Sequence, residues 1–288
     1  MSIDQAPSSA TFAMPAATDR AFAGAPAPEA PAALPGLLGR SYARGTRIEL
    51  HAHADAQLLF AAQGLMQVST PRGCWFVPPR RAVWIPPRMP HAVEVVSELH
   101  MRSLLIAPSM LARHAQPERL SRAFMVAVGP LLRSAILACH EPAAPARLRE
   151  LLLEVALYQL HEQDDGGTYM PLPQDARARK VAELVLADPA GNQELEALSR
   201  LAGCSARTVS RLFPLETELS FKAWRQRARI MLALEMLGRE GAAVKAVAGR
   251  LGFSSVAAFS HAFRQVTGMR PSDVSASADP DAALHGQR

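Results

Sequence analysis

Between residues 42 and 106 the apolar residues gather in runs of six or seven: RIELHAH, QLLFAA, LMQVST, CWFVPP, AVWIPP, HAVEVV and MRSLLIA. Turn residues divide them at Asp55, Gly64, Pro71-Arg72-Gly73, Pro78-Pro79 and Pro90. Runs of strand length at such even spacing predict a small all-β unit, read here as a barrel over 38–108. Beyond Pro108 the period changes. Leu148, Leu151, Leu152, Val155 and Tyr158 recur at helical spacing among Arg147, Arg149, Glu150 and Glu154, so 109–172 is expected to be a helical linker. That stripe either joins two copies of the chain or packs on its own barrel. Asp164-Asp165-Gly166-Gly167, then Pro171 and Pro173, mark a domain boundary.

From 173 to 275 the helical period continues, and two segments share one plan. In LEALSRLAGCSARTVSRLF, Leu195, Leu198, Leu201 and Ala202 make a short amphipathic helix. Gly203 permits a tight turn, Ser205 caps the next helix, and Val209, Leu212 and Phe213 face inward. In AVKAVAGRLGFSSVAAFSHAFRQVTG, Val244, Val247, Ala248 and Leu251 play the first part and Gly252 makes the turn. Ser254 or Ser255 caps, and Val256, Phe259 and Phe263 face inward. Helix, Gly-containing turn, helix is the helix-turn-helix plan. Between the two units a helix of about 19 residues, roughly 28 Å long, buries Phe221, Trp224, Ala228, Met231 and Leu234. It is expected to hold the units apart. The fold class is therefore α+β: a β-barrel, then an all-α domain with two helix-turn-helix motifs.

Composition refines this picture. Residues 1–35 hold 12 Ala and 6 Pro and few large apolar groups, so 1–37 is expected to be disordered and 276–288 to be a flexible tail. No apolar run reaches the roughly 18 residues of a membrane span, and Asp4 without a basic leader argues against a secretory signal. Cys74, Cys139 and Cys204 are odd in number and lack CxxC spacing, which suits a reducing cytoplasm. Charge is uneven. Residues 1–172 carry 15 Lys and Arg against 14 Asp and Glu, while 173–275 carry 15 against 10, so the net +5 resides in the helical domain. A locally basic domain suits phosphate-bearing partners.

These residues carry a resemblance. Residues 175–275 resemble the DNA-binding domain of the AraC/XylS family of bacterial transcription regulators. Its most specific part runs from Val247 to Pro271, with Ala248, Gly252-Phe253, Ser255, Phe259, Phe263 and Gly268 in the family's order; Trp224-Arg225 match the linker helix. Ala258 and His261 stand where an aromatic residue and an arginine are commoner. The resemblance implies that Arg207, Thr208, Ser210 and Arg211 face one major groove of double-stranded DNA and Ser255, Ala257, Ala258, His261 and Arg264 the next. Lys222, Arg225 and Lys245 are expected at phosphates.

The β unit resembles the cupins. Gly45, His51, His53, Gln57 and Gly64 follow the first cupin motif, and Pro86, Pro87 and His91 the second. In metal-binding cupins such motifs supply three His and one Glu to a cation. Gln57 replaces that Glu, and Arg88 stands where Gly is usual. His51 and His53 lie two apart on one strand face, with His91 approaching from a neighbour. Three readings stay open: a divalent transition metal on His51, His53 and His91; an organic effector touching His51, His53, Gln57 and His91; or barrel histidines paired with backbone. Trp75 and Trp84 are expected to fill the barrel.

The leading expectation is an effector-responsive, homodimeric transcription regulator that, as an activator, would contact RNA polymerase, with no membrane partner and no enzymatic role. A metal-dependent cupin enzyme with an accessory helical domain is the alternative, and a non-specific nucleic-acid binder a third.

Overall fold

Residues 37–113, 117–160, 168–238 and 243–275 are described in the computed structural model. The expected disorder of 1–37 and the expected tail thus lie outside the described residues, except that Leu37 opens a strand. Eight strands come first: β1 (Leu37–Tyr42), β2 (Arg47–His51), β3 (Ala56–Gln63), β4 (Met66–Thr70), β5 (Gly73–Val77), β6 (Arg81–Ile85), β7 (His91–Val95) and β8 (Leu99–Ile106). The next stretch was expected to be helical throughout. It contains helices α1 (Pro108–Leu111), α2 (Pro130–Cys139) and α3 (Ala146–Tyr158), yet also strands β9 (Phe124–Ala127) and β10 (Tyr169–Pro171). Both are short and find partners distant in sequence, so local period could not reveal them.

The strands form two antiparallel five-stranded sheets, ordered β1-β8-β3-β6-β9 and β10-β5-β4-β7-β2. Leu59, Val83, Met101 and Met125 of the first sheet share one buried cluster with Met66, Val68, Val77 and Val93 of the second. The sheets therefore lie face to face over a common core. Ladder bonds that would close them into one barrel are absent among the described pairs.

Each sheet is also covered on its outer face. Leu58, Phe60, Trp84 and Leu104 pack under α2 and α3 with Leu132, Ile136, Ala156 and Leu157. Cys74 and Phe76 point the other way, into a core shared with the C-terminal helices. Central strands buried on both faces explain why QLLFAA and CWFV read as unbroken apolar runs rather than alternating ones. Trp84 is fully buried, its Nε1 donating to the Leu120 carbonyl at 2.9 Å. Trp75 stacks on Tyr169 with ring centroids 4.5 Å apart.

The C-terminal helices are α4 (Ala176–Ala187), α5 (Leu195–Leu201), α6 (Ala206–Thr217), α7 (Phe221–Leu237), α8 (Val244–Arg250), α9 (Val256–Thr267) and α10 (Pro271–Ser275). α7 has 17 residues, a little shorter than expected, or about 26 Å. The two domains are joined along β10. This edge strand pairs with β5 on one side, so the carbonyls of Tyr169 and Pro171 point away from the sheet. Helix α7 satisfies both: Arg227 donates to Tyr169 O at 3.1 Å and the Trp224 indole to Pro171 O at 2.6 Å. An exposed strand edge is thereby closed by a helix of the next domain. Nearby, the Glu216 carboxylate of α6 accepts from the backbone N–H groups of Gln174 and Asp175.

Candidate nucleic-acid interface and histidine site

The pairs α5–α6 and α8–α9 are one unit built twice. Each turn glycine is left-handed, Gly203 at φ 67° and Gly252 at φ 71°, a conformation that costs other residues strain. Ser205 accepts from Thr208 N and Ser255 from Ala258 N, both at 3.1 Å, so Ser255 and not Ser254 is the second cap. Inside, Val209 and Phe213 of α6 correspond to Phe259 and Phe263 of α9, all fully buried. At the far ends, buried Thr217 and Thr267 each donate to a carbonyl one turn back, Phe213 O and Phe263 O. The expected inward position of Val256 is corrected: it is 40% exposed, because it begins α9 before the helix reaches the core.

With the apolar faces spent on this packing, the polar faces look outward. Arg207, Ser210, Arg211, Ala257, Ala258, His261 and Arg264 are exposed, as are Lys222 and Lys245, while Thr208 is half-buried and bonded to Ser205 Oγ. Ser255 is exposed but its hydroxyl is engaged as a cap. Among the described residues no carboxylate forms an ion pair with Arg207, Arg211, Arg264, Lys222 or Lys245.

Arg225 is placed differently from expectation. Its guanidinium turns inward and donates to the carbonyls of Gln193, at 2.7 Å, and Gly191. Burial, and then the adjacent Arg229, pull its pKa below the ordinary guanidinium value. Arg229 holds the same loop through Pro189 O and Asn192 Oδ1. Both arginines therefore fasten the segment that leads into α5. The sequence placed Arg225 at a phosphate because the loop that it holds lies more than thirty residues away.

In the β domain, the structure brings His51, His53 and His91 together. Candidate ligand atoms of the three lie within 4.8 Å of one another, and ring centroids of His51 and His91 are 4.3 Å apart. His51 ends β2 and faces His91, which opens β7, while His53 enters from the following loop. Each Nδ1 sits beside a backbone carbonyl: Glu49 O at 2.8 Å, Asp55 O at 2.7 Å and Met89 O at 2.9 Å. A carbonyl only accepts, so each Nδ1 carries a hydrogen, and a ring in its neutral form presents a bare Nε2. Burial, reinforced by the neighbouring His51, pushes the His91 pKa down to about 3, and burial also lowers that of His51. Both are neutral at neutral pH, the state that can ligate.

Gln57, almost fully buried, completes the cluster: its Oε1 lies 3.1 Å from His53 Nε2 and 2.9 Å from His91 Nε2. Ser103 holds the amide's other end, Oγ to Nε2 at 3.3 Å. Ser103 was not singled out from the sequence; its parity with Met101 on β8 places it on the same inner face. Three imidazoles with tethered Nδ1–H groups and converging Nε2 atoms suit a borderline divalent transition metal, and the tethers are of the kind that orient histidine ligands. Arg88 is exposed at φ 61°, and its N–H donates to His53 O at 2.8 Å, beside the cluster.

Among the described residues no helix is long and apolar enough to cross a membrane. Two family models match the chain, the AraC-like ligand binding domain over residues 35–161 and the helix-turn-helix domain over residues 198–277. The HTH-type transcriptional regulator NimR of Escherichia coli (strain K12) is 29% identical over 228 residues, covering 77% of this chain and 80% of that regulator. The HTH-type transcriptional regulator RipA of Corynebacterium glutamicum is 36% identical over 102 residues, covering 35% of this chain and 30% of RipA. A crystal structure of ToxT from Vibrio cholerae with bound unsaturated fatty acid aligns over 83% of this chain and 95% of that one, at 13% identity and TM-score 0.35.

Proposed function

Because this chain belongs to the AraC family of DNA-binding transcriptional regulators, we propose that it reads two successive major grooves, with α6 in one and α9 in the next. The observation that carries this reading is the duplicated unit, whose two outer faces offer Arg207, Ser210 and Arg211, and His261 and Arg264, without competing carboxylates. Arg211 supplies base contacts in the first groove and His261 occupies the matching place in the second, while Ala257 and Ala258 offer methyl groups to thymine. Lys222 and Lys245 hold phosphates. Arg225 acts through the loop before α5. At about 26 Å, α7 is somewhat shorter than the ~34 Å turn of B-DNA, so the readers meet the duplex roughly 10 base pairs apart only with their own width added.

The histidine cluster is the sensing site of the β domain, and no catalytic role is assigned to it. His51, His53 and His91 would hold a divalent transition metal. When bound, that ion offers a Lewis-acidic point for an oxygen or nitrogen donor of a small-molecule effector. Dimerisation falls to α3, where Leu148, Leu151 and Tyr158 stay exposed while Ala156 and Leu157 pack inward. An activating role would add RNA polymerase as a partner. Capture of fragments of the source genome by the purified protein tests the DNA reading. Recovery of a few intergenic fragments is expected, and retention of all fragments alike would overturn it.

A further inference from the structure

Gln57 stands where the cupin pattern has a carboxylate, and its surroundings differ from those a carboxylate would accept. Its Oε1 faces the Nε2 atoms of His53 and His91 at 3.1 and 2.9 Å. In the neutral form of each ring those two nitrogens carry no hydrogen, because Nδ1–H is spent on Asp55 O and Met89 O. Three lone-pair-bearing atoms thus meet in a buried place with no proton between them, an arrangement that costs free energy unless something changes. Two changes resolve it without charging an imidazole. A cation between the atoms turns all of them into ligands. Alternatively the amide rotates by half a turn, so that its two N–H groups donate to the two imidazoles.

Ser103 accommodates both states. A hydroxyl accepts from the amide N–H in the first orientation and donates to the amide oxygen in the second. Ser103 is fully buried and lies 3.3 Å from the amide, so no water is needed. A glutamate, having no N–H groups, could do the same only by taking up a proton, on itself or on an imidazole, once the ion left. The amide also adds no charge. A set of three imidazoles and one amide oxygen leaves the full double charge of the ion uncompensated, which weakens retention relative to a set with one carboxylate.

We propose that Gln57 is the reversible fourth ligand of this site, turning its amide between the metal-loaded and metal-free states so that the ion exchanges instead of being retained. This rests on the metal reading of the histidine cluster given above. It assigns the β domain a labile metal, suited to reporting availability, where a carboxylate would build a permanent cofactor.

The test uses the full-length protein, stripped with chelator and titrated with Co(II), following its visible ligand-field bands and the binding heat, with Gln57→Glu and Gln57→Leu in parallel. Wild type should bind one equivalent and still unfold cooperatively when metal-free. Gln57→Glu should bind about tenfold tighter or more, and Gln57→Leu about 10–100-fold more weakly, the range typical of lost shell contacts. Gln57→Leu should also melt lower without metal, since both imidazoles lose their donor; should it not fold, the Gln57→Glu comparison stands alone. In wild type, the Gln57 side-chain amide resonances should shift on loading with Zn(II). Equal affinity in all folded variants, or unmoved amide resonances, would overturn the role of Gln57 and leave the metal reading standing. No Co(II) binding by wild type would defeat the metal reading, and this inference with it.

Discussion

Replacing Trp224 by Phe tests whether the two domains are held as one folding unit. The indole is fully buried and its Nε1–H is the donor seen for the Pro171 carbonyl, at 2.6 Å. Pro171 O points away from β5, so the substitution leaves it without a partner in a site closed to water. An orphaned buried acceptor costs about 1–3 kcal/mol. The smaller ring removes apolar contact worth about 1 kcal/mol more, while keeping the edge-to-face contact with Phe213. The sum, about 2–4 kcal/mol, leaves a protein of ordinary stability folded. It should lower the melting temperature by roughly 5–15 °C. Thermal unfolding followed by far-ultraviolet circular dichroism and by intrinsic fluorescence measures both the shift and the coupling. The two probes should coincide in wild type and separate in the variant, with the sheet domain outlasting the helices. A shift below about 1 °C with coincident probes would refute the reasoning, because the bond would then carry no coupling.

Three other outcomes are expected. Arg211→Ala should lose about 1–3 kcal/mol of operator affinity at a few base pairs only, whereas Lys245→Ala should weaken all sequences alike and flatten the salt slope by about one; equal loss on specific and random DNA for Arg211→Ala would count against base reading. Gly64→Ala should abolish folded expression, because the backbone is left-handed at φ 83° and the added Cβ would fall 2.0 Å from Glu98 O; a soluble variant with a wild-type circular dichroism spectrum would be the contrary result. Burial pushes the Cys74 thiol up to about 12 and that of Cys139 up to about 11, so iodoacetamide at pH 8 should label partly exposed Cys204 alone, as peptide mass mapping would report.

Local chemistry explains what the sequence disclosed. Gly203, Gly252 and Ser205 belong to turns and caps, which are decided within a few residues, and the sequence narrows the second cap to Ser254 or Ser255, of which the structure places it on Ser255. The histidine trio was legible because two of its members stand two residues apart and the third carries a motif, although His53 lies in the loop just past β2 and not on the strand face expected for it. What escaped depends on distant partners. β9 and β10 exist only because β6 and β5 offer free edges to them. Arg225 turned inward because its acceptors, Gln193 and Gly191, come from another segment. The helical stripe on α3 was correctly seen, but the helix is anchored beside it through Ala156 and Leu157, so Leu152 joins the packed face while Leu148, Leu151 and Tyr158 stay exposed.

β5 shows two different neighbourhoods to its two sides, with Trp75 and Val77 toward the inter-sheet core and Cys74 and Phe76 toward α4 and α7. This bears on how such regulators can be recombined. A hybrid that keeps these sensing strands and takes its DNA reader from another regulator, spliced in the linker near residue 173, would set Leu65, Phe76, Met170 and Leu172 against a foreign surface. Transplanting the reader therefore requires redesigning the complementary faces of α4 and α7 together with the splice. Sequence distance from the linker is a poor guide to which positions must travel with it, since Leu65 and Val96 meet Gly238 from the other end of the chain.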